Sequence, residues 1–327
     1  MMTLPALEVL RPASVEEAVK LLASHPHARP LAGGTDLVPN LKYGMYDAGP
    51  VIALRGLSRE LRYVREEQGD LRLGALCTLD QLAKDPLVTA RLPALADAAA
   101  HVAGPQLRRM GTLGGNLCLD TRCVYINQSH FWRNALGFCL KKDGSVCHVV
   151  AQGKRCVAAA SNDTAPVLLT LDASVRLVSP RGARLLPLAD FYVTDGVKNT
   201  QLAPDELLTE VRVPQRALGM RQAFLKLRTR AAVDFPALNL AVALRAREGV
   251  LESLSLCVSA LAAKPHVVKG LDDLLGQPYG TARALGDELG KRAHKQCRPL
   301  TNINVDPEWR REILPVLVRR AVERALA

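Results

Sequence analysis

The chain has 327 residues, 48% of them apolar, and a formal net charge of +11. That length suits two domains, or one large domain with subdomains, each with a buried core. No apolar stretch approaches the roughly eighteen residues of a spanning helix, and the N-terminus has no charged region followed by an apolar one, so neither membrane segment nor signal peptide is expected and the cytoplasm is the default compartment. Aromatics are only 4% and the basic residues are scattered, with Arg108-Arg109, Lys141-Lys142 and Arg310-Arg311 the densest points. This pattern excludes a stacking platform for nucleic acid and favours an acidic protein partner.

Ser14-Val-Glu-Glu17 has capping-box spacing and predicts a helix ending near His25-Pro26. Arg29 to Ala32 reads as a strand, Gly33-Gly34 as a tight loop, Asp36 to Lys42 as a helix, and Val51 to Leu54 as a buried strand. These make a first region, 1–57. A second, 58–217, has a strand at Leu71–Gly74, a helix capped by Thr78, and an Ala/Leu-rich helix over Leu87–Ala103. A helix turn leading into a strand is expected over Val167–Val178, and Glu206–Val213 closes the region before Pro214. A third, 218–327, holds strands at Phe224–Arg228, Leu238–Arg247 and Leu251–Ala262, then helices near Val268–Leu275, Thr281–Ala293 and Glu308–Leu326. The order indicates an α+β chain whose last unit is a short antiparallel sheet backed by helices.

Two glycine runs stand out. In the first, Arg29, Pro30, Leu31, Ala32, Gly33, Gly34, Thr35 and Asp36 place two glycines and a hydroxyl between a strand and a helix start. Glycines let backbone approach a pyrophosphate, and a helix N-terminus offers unpaired amides. A plain strand–helix turn accounts for the motif equally well. It is not G-x-G-x-x-G, so a nicotinamide Rossmann domain is not indicated. The second run is Gly111-Thr-Leu-Gly-Gly-Asn116, in which Thr112 and Asn116 are candidate donors beside Gly114 and Gly115. Two such loops suggest a cofactor wedged between two subdomains. Asp163 is an acceptor for a ribitol or ring group, or else a helix cap.

Between the second run and Asp163 lie Cys123, Cys139, Cys147 and Cys156, half of the eight cysteines, with gaps of fifteen, seven and eight residues. Disulfides are disfavoured in a reducing compartment. Structural zinc usually uses C-x-x-C knuckles, absent here. A four-iron cluster needs four thiolates and tolerates wide spacing, so cluster, zinc and free thiols all stay open on chemistry. His148 is a substitute ligand or a loop histidine, and Cys118, a fifth thiol that could compete, directly follows Asn116-Leu117 and reads as buried near the second glycine run. Tyr125, Phe131, Trp132 and Phe138 bring bulky apolar groups to the same segment, as a shield for a cluster or as a small core.

Taken together, Ala32-Gly-Gly-Thr-Asp36, Arg109-Met-Gly-Thr-Leu-Gly-Gly-Asn116, Asp163 with Pro166, Leu202-Ala-Pro-Asp-Glu-Leu-Leu208, and Phe224-Leu-Lys-Leu-Arg228 with Asp234 resemble the flavin subunit of the xanthine dehydrogenase / carbon monoxide dehydrogenase family of molybdenum hydroxylases. The resemblance covers nearly the whole chain. It implies an FAD-binding domain of two α+β subdomains, 1–57 and 58–217, and a C-terminal α+β domain, 218–327. The first loop with Gly114, Gly115 and Asn116 would hold the pyrophosphate of a non-covalent FAD, and Asp163 and Lys226 would touch the flavin. No catalytic residue is implied, because substrate chemistry belongs to a partner. An insert at about 119–158 departs from most members of the family and narrows the resemblance to the 4-hydroxybenzoyl-CoA reductase branch. That branch implies a 4Fe-4S cluster on Cys123, Cys139, Cys147 and Cys156, ferredoxin as donor, and reductive loss of the para-hydroxyl. Partners would be a small subunit with 2Fe-2S clusters and a large molybdopterin subunit, assembled as a dimer of heterotrimers. The alternative within the family is an oxidising hydroxylase whose insert binds zinc or no metal.

Overall fold

The computed structural model describes residues 3–327 and builds the chain from three sheets. The first is parallel, from β1 (Val9–Leu10), β2 (Arg29–Leu31) and β3 (Val51–Ala53), in the order β1-β3-β2. Its cover helix, Val15–Ser24, starts where expected: the Ser14 hydroxyl accepts from the Glu17 amide at 3.1 Å, and Glu17 reaches back to the Ala13 amide at 2.7 Å. Val15, Ala18, Val19 and Leu22 form its buried stripe.

The second sheet is antiparallel, from β4 (Val64–Glu67), β5 (Asp70–Gly74), β6 (Ser174–Ser179), β7 (Gly182–Pro187) and β8 (Leu207–Val213), in the order β4-β5-β8-β6-β7. The single helix expected over Leu87–Ala103 is instead two, Pro86–Arg91 and Pro93–Ala100. Pro93 has no amide to donate and pushes the residue before it out of the helical region. Leu92 accordingly sits at φ −133°, ψ 58°.

The third sheet is antiparallel, from β9 (Arg221–Leu227), β10 (Leu238–Arg247), β11 (Val250–Ser259) and β12 (His266–Val267), in the order β12-β11-β10-β9. One face of β10, Leu238, Leu240, Val242 and Leu244, packs on the helices Ala282–Gln296 and Pro307–Leu326. The other, with Ala241 and Ala243, enters the central core with Phe224 and the helices Pro93–Ala100 and Thr164–Thr170. Burial on both sides explains why β10 reads as an almost unbroken apolar run. The helix expected near Val268–Leu275 is only a short 3-10 turn, Asp272–Leu274, because the Val268 amide stays bonded to the sheet at Leu256 and Gly270 turns the chain at φ +70°. No helix among the described residues is long and apolar enough to cross a membrane.

Candidate functional site: two adjoining cavities

A cavity of about 550 Å3 opens where the three sheets meet, and both glycine runs line it. The runs touch back to back: a Cβ on Gly33 would lie 1.8 Å from the Met110 carbonyl oxygen. Only glycine permits that approach. Gly34 is at φ +72°, a conformation that favours glycine.

The two runs differ in what their amides do. Among the described residues, the amides of Gly34, Thr35 and Asp36 donate to no protein acceptor. In the second run, Leu113 donates to the Cys77 oxygen and Gly114 to the Ala75 oxygen, both at 2.9 Å, and Gly115 donates to the Thr112 hydroxyl at 3.1 Å. Thr112 is thus the cap of the short helix Leu113–Leu117. The Asn116 side-chain oxygen accepts from the Thr164 amide and hydroxyl at 3.2 and 2.6 Å, tying the second run to the Asp163 element. The first run thus offers orphan donors, while the second is a bonded floor in which Gly114 packs closely on Ala75.

Asp163 is not a helix cap; its side chain makes no cap hydrogen bond. It accepts from Lys226 Nζ at 2.6 Å and from Asn239 Nδ2 at 2.9 Å, and Lys226 also donates to the His101 oxygen at 3.1 Å. Burial pushes the Asp163 carboxyl up, opposed by the Lys226 ammonium, and burial pushes Lys226 down, opposed by Asp163. At this contact distance, with Asn239 donating too, each partner keeps the other charged. Asp36 likewise does not cap its helix. It pairs with Arg122, whose guanidinium also lies 3.7 Å over the Phe235 ring. Arg29 sits 3.7 Å over Tyr46, and Tyr46 donates to Asp120 at 2.7 Å. Burial, reinforced by Asp120, pushes the Tyr46 phenol far above its usual range.

The cysteine insert closes a second, smaller cavity of about 20 Å3. Cys123, Cys139, Cys147 and Cys156 all line it, with Tyr125, Ile126, Leu140, Lys141 and His148. No carboxylate is among the lining residues. Burial pushes the Cys123 thiol up to about 11, and the neighbouring thiols add to that. Burial also raises Cys156, against the pull of Lys141. Among the described residues no three His, Cys, Asp or Glu side chains converge tightly enough for a single metal ion. A lone zinc draws its thiolates to about 2.3 Å from one point; a four-iron core is larger and keeps them further apart. The donor set is soft and oxygen-poor, which suits a thiophilic metal over a hard cation.

The aromatic shield expected around these thiols is mostly absent. Tyr125 lines the cavity, but Phe131 on the helix His130–Ala135 is 83% exposed, and Trp132 lines neither cavity and leans on Tyr125 with ring centroids 6.4 Å apart. His148 lines the cavity with its Nε2 on the Phe138 oxygen at 2.6 Å. Cys118 lines the large cavity, not the small one, and burial pushes its thiol up to about 12.

Of the expected cofactor contacts, Arg29, Pro30, Ala32, Gly33, Gly34, Thr35, Asp36, Thr112, Gly114, Gly115, Asn116, Asp163 and Lys226 line the large cavity, and Leu31 does not. Tyr46, Asp120, Arg122 and Phe235 also line it and were not foreseen. They come from three separate stretches with no shared motif. The one signal was the position of Asp120 and Arg122 between the second run and Cys123.

Residues 5–216 match the family described as FAD binding domain in molybdopterin dehydrogenase, and residues 223–325 match the CO dehydrogenase flavoprotein C-terminal domain. The carbon monoxide dehydrogenase medium chain of Afipia carboxidovorans is 29% identical, over 97% of this chain and 96% of that one. The aldehyde oxidoreductase FAD-binding subunit of Escherichia coli is 32% identical, over 82% and 85%. Among solved structures, the carbon monoxide dehydrogenase of Hydrogenophaga pseudoflava superposes with a TM-score of 0.81 at 26% identity, over 99% of this chain and 98% of its counterpart.

Proposed function

The chain belongs to the FAD-binding subunits of the xanthine dehydrogenase / carbon monoxide dehydrogenase family of molybdenum hydroxylases, and from that premise we propose that it is an electron-transfer subunit with two redox centres. FAD occupies the large cavity without a covalent link, and a 4Fe-4S cluster is held by Cys123, Cys139, Cys147 and Cys156. The observation that supports this reading is that all four cysteines line one small, carboxylate-free cavity next to the large one.

The residues divide the work. The amides of Gly34, Thr35 and Asp36 and the Thr35 hydroxyl receive the pyrophosphate. Gly115 allows it to lie against backbone, with Gly114 packed on Ala75 behind it. Asp163 and Lys226 hold fixed charges where the flavin ring contacts the protein. The four thiols give up their protons on metal binding. When bound, the two groups store and relay electrons, taken from ferredoxin and passed through partner 2Fe-2S clusters to molybdenum on a large subunit. The reaction served is reductive removal of the para-hydroxyl of 4-hydroxybenzoyl-CoA, giving benzoyl-CoA, and it takes place on that partner.

A second reading has its own support. The relatives carry the names of dehydrogenases and an aldehyde oxidoreductase, which favours an oxidising hydroxylase whose insert holds zinc or no metal. Turnover of the anaerobically purified complex separates the two. Ferredoxin-dependent formation of benzoyl-CoA from 4-hydroxybenzoyl-CoA is expected. Dye-linked oxidation of an aldehyde or heterocycle, with no dehydroxylation, would replace the proposal with the second reading.

A further inference from the structure

The two cavities share a wall. Asp120 and Arg122 line the large one, and Cys123, the next residue, lines the small one. Lys141 crosses this wall. It lines the small cavity, its side chain is 6% exposed, and its Nζ donates to Asp120 Oδ1 at 2.7 Å, Thr121 Oγ1 at 2.7 Å and the Gly196 oxygen at 2.5 Å. An ammonium has three protons, and all three are used. Asp120 in turn accepts from Tyr46 and from the Thr121 amide.

The Gly196 contact reaches back to the thiols. The Gly196 amide donates to the Cys156 oxygen at 2.8 Å, and a Cβ on Gly196 would come within 2.7 Å of Cys156 Sγ. Lys141 also lies two residues beyond Cys139. It therefore fixes two of the four thiol-bearing segments to each other and to the flavin-side wall.

We propose that Lys141 is a positioning residue for the thiol-bound centre and the fixed positive charge that sets its reduction potential, with Asp120 as the opposing charge on the flavin side. This rests on the cluster reading above. Adding an electron to a centre beside a buried cation is favoured, and buried charges are weakly screened. Loss of the Lys141 charge therefore lowers the potential of the centre. Loss of the Asp120 charge raises it. A purely structural role has no reason to give opposite signs.

The test uses the intact complex, purified without oxygen, in wild-type, Lys141→Met, Lys141→Arg and Asp120→Asn forms. Iron, acid-labile sulfide and FAD are measured, then both midpoint potentials by spectroelectrochemistry. The expected result is a more negative cluster potential in K141M, a smaller change in K141R, and a more positive potential in D120N, with the flavin potential in K141M moving less than that of the cluster. If K141M loses its iron while K141R keeps it and FAD content is unchanged in both, the positioning role is supported. Unchanged iron and potentials in K141M, or a shift of the same sign in K141M and D120N, would overturn the proposal. Wild-type complex with no iron attributable to this chain would instead sink the cluster reading itself.

Discussion

A Cβ on Gly33 would collide with the Met110 carbonyl, whereas one on Gly115 would meet only the Thr112 hydroxyl, at 3.0 Å. Space within the protein thus decides the first position, whereas the second lines the large cavity. Gly115→Val is expected to keep the fold and lose most FAD, read as flavin absorbance per protein with circular dichroism unchanged. Asp36→Ala should lose less, because Asp36 acts through Arg122 and Asn40 rather than by capping its helix. Full FAD occupancy in Gly115→Val would mean that the second run is only a turn. The flavin itself should be released by acid precipitation. His101, the tether nearest in sequence, has its ring on Asp97, and the Cys118 thiol, pushed up to about 12, is a poor nucleophile at neutral pH. Yellow colour left in the pellet would contradict this.

At the scale of elements, the insert is held by polar anchors more than by its aromatics. Arg133, only 1% exposed, leaves the helix His130–Ala135 and donates to the Tyr43 and Gly44 oxygens at 2.8 and 3.1 Å. Arg133→Ala removes both contacts and is expected to loosen the insert by about 1–3 kcal/mol. Hydrogen exchange should rise over residues 124–150 and stay unchanged in the three sheets; a uniform change across the chain would count against a local anchor. Local signals announced much of this level in advance. Ser14, Thr78 and Thr281 each cap the helix they were expected to start, and apolar runs marked β3, β8, β10 and β11. Pro93 carried its break openly, but the Ala/Leu composition on either side masked it.

Across the whole molecule, the insert is stitched to the C-terminal part by Asn302. Its backbone oxygen accepts from the Val124 amide at 2.9 Å, and its Nδ2 donates to the Val157 and Leu261 oxygens at 2.7 and 2.9 Å. Both ends of the insert and the segment after β11 therefore meet at one residue, Val124 at its backbone and Val157 and Leu261 at its side chain. Asn302→Ala should cost on the order of 1–3 kcal/mol, partly offset because Asn302 Oδ1 is itself buried without a partner. A lowered melting temperature with faster exchange around Val157 would fit, and an unchanged melting temperature would not. Contacts at this range explain what the sequence concealed. Arg122 on Asp36, Phe235 under Arg122, and Tyr46 on Asp120 join residues far apart in the chain, so no local spacing could announce them. The glycine runs, Asp163 and the four cysteines were legible because their chemistry is unusual for their local setting.

A thiolate-held cluster beside FAD is the feature that sets the proposed role of this chain apart. The most direct test is the iron and acid-labile sulfide per FAD in anaerobically purified complex, compared between wild type and a Cys123→Ala/Cys147→Ala variant. A loss of about four iron and four sulfide per FAD, the content of one four-iron cluster, is expected, with FAD retained. Equal iron and sulfide in the two complexes would contradict it.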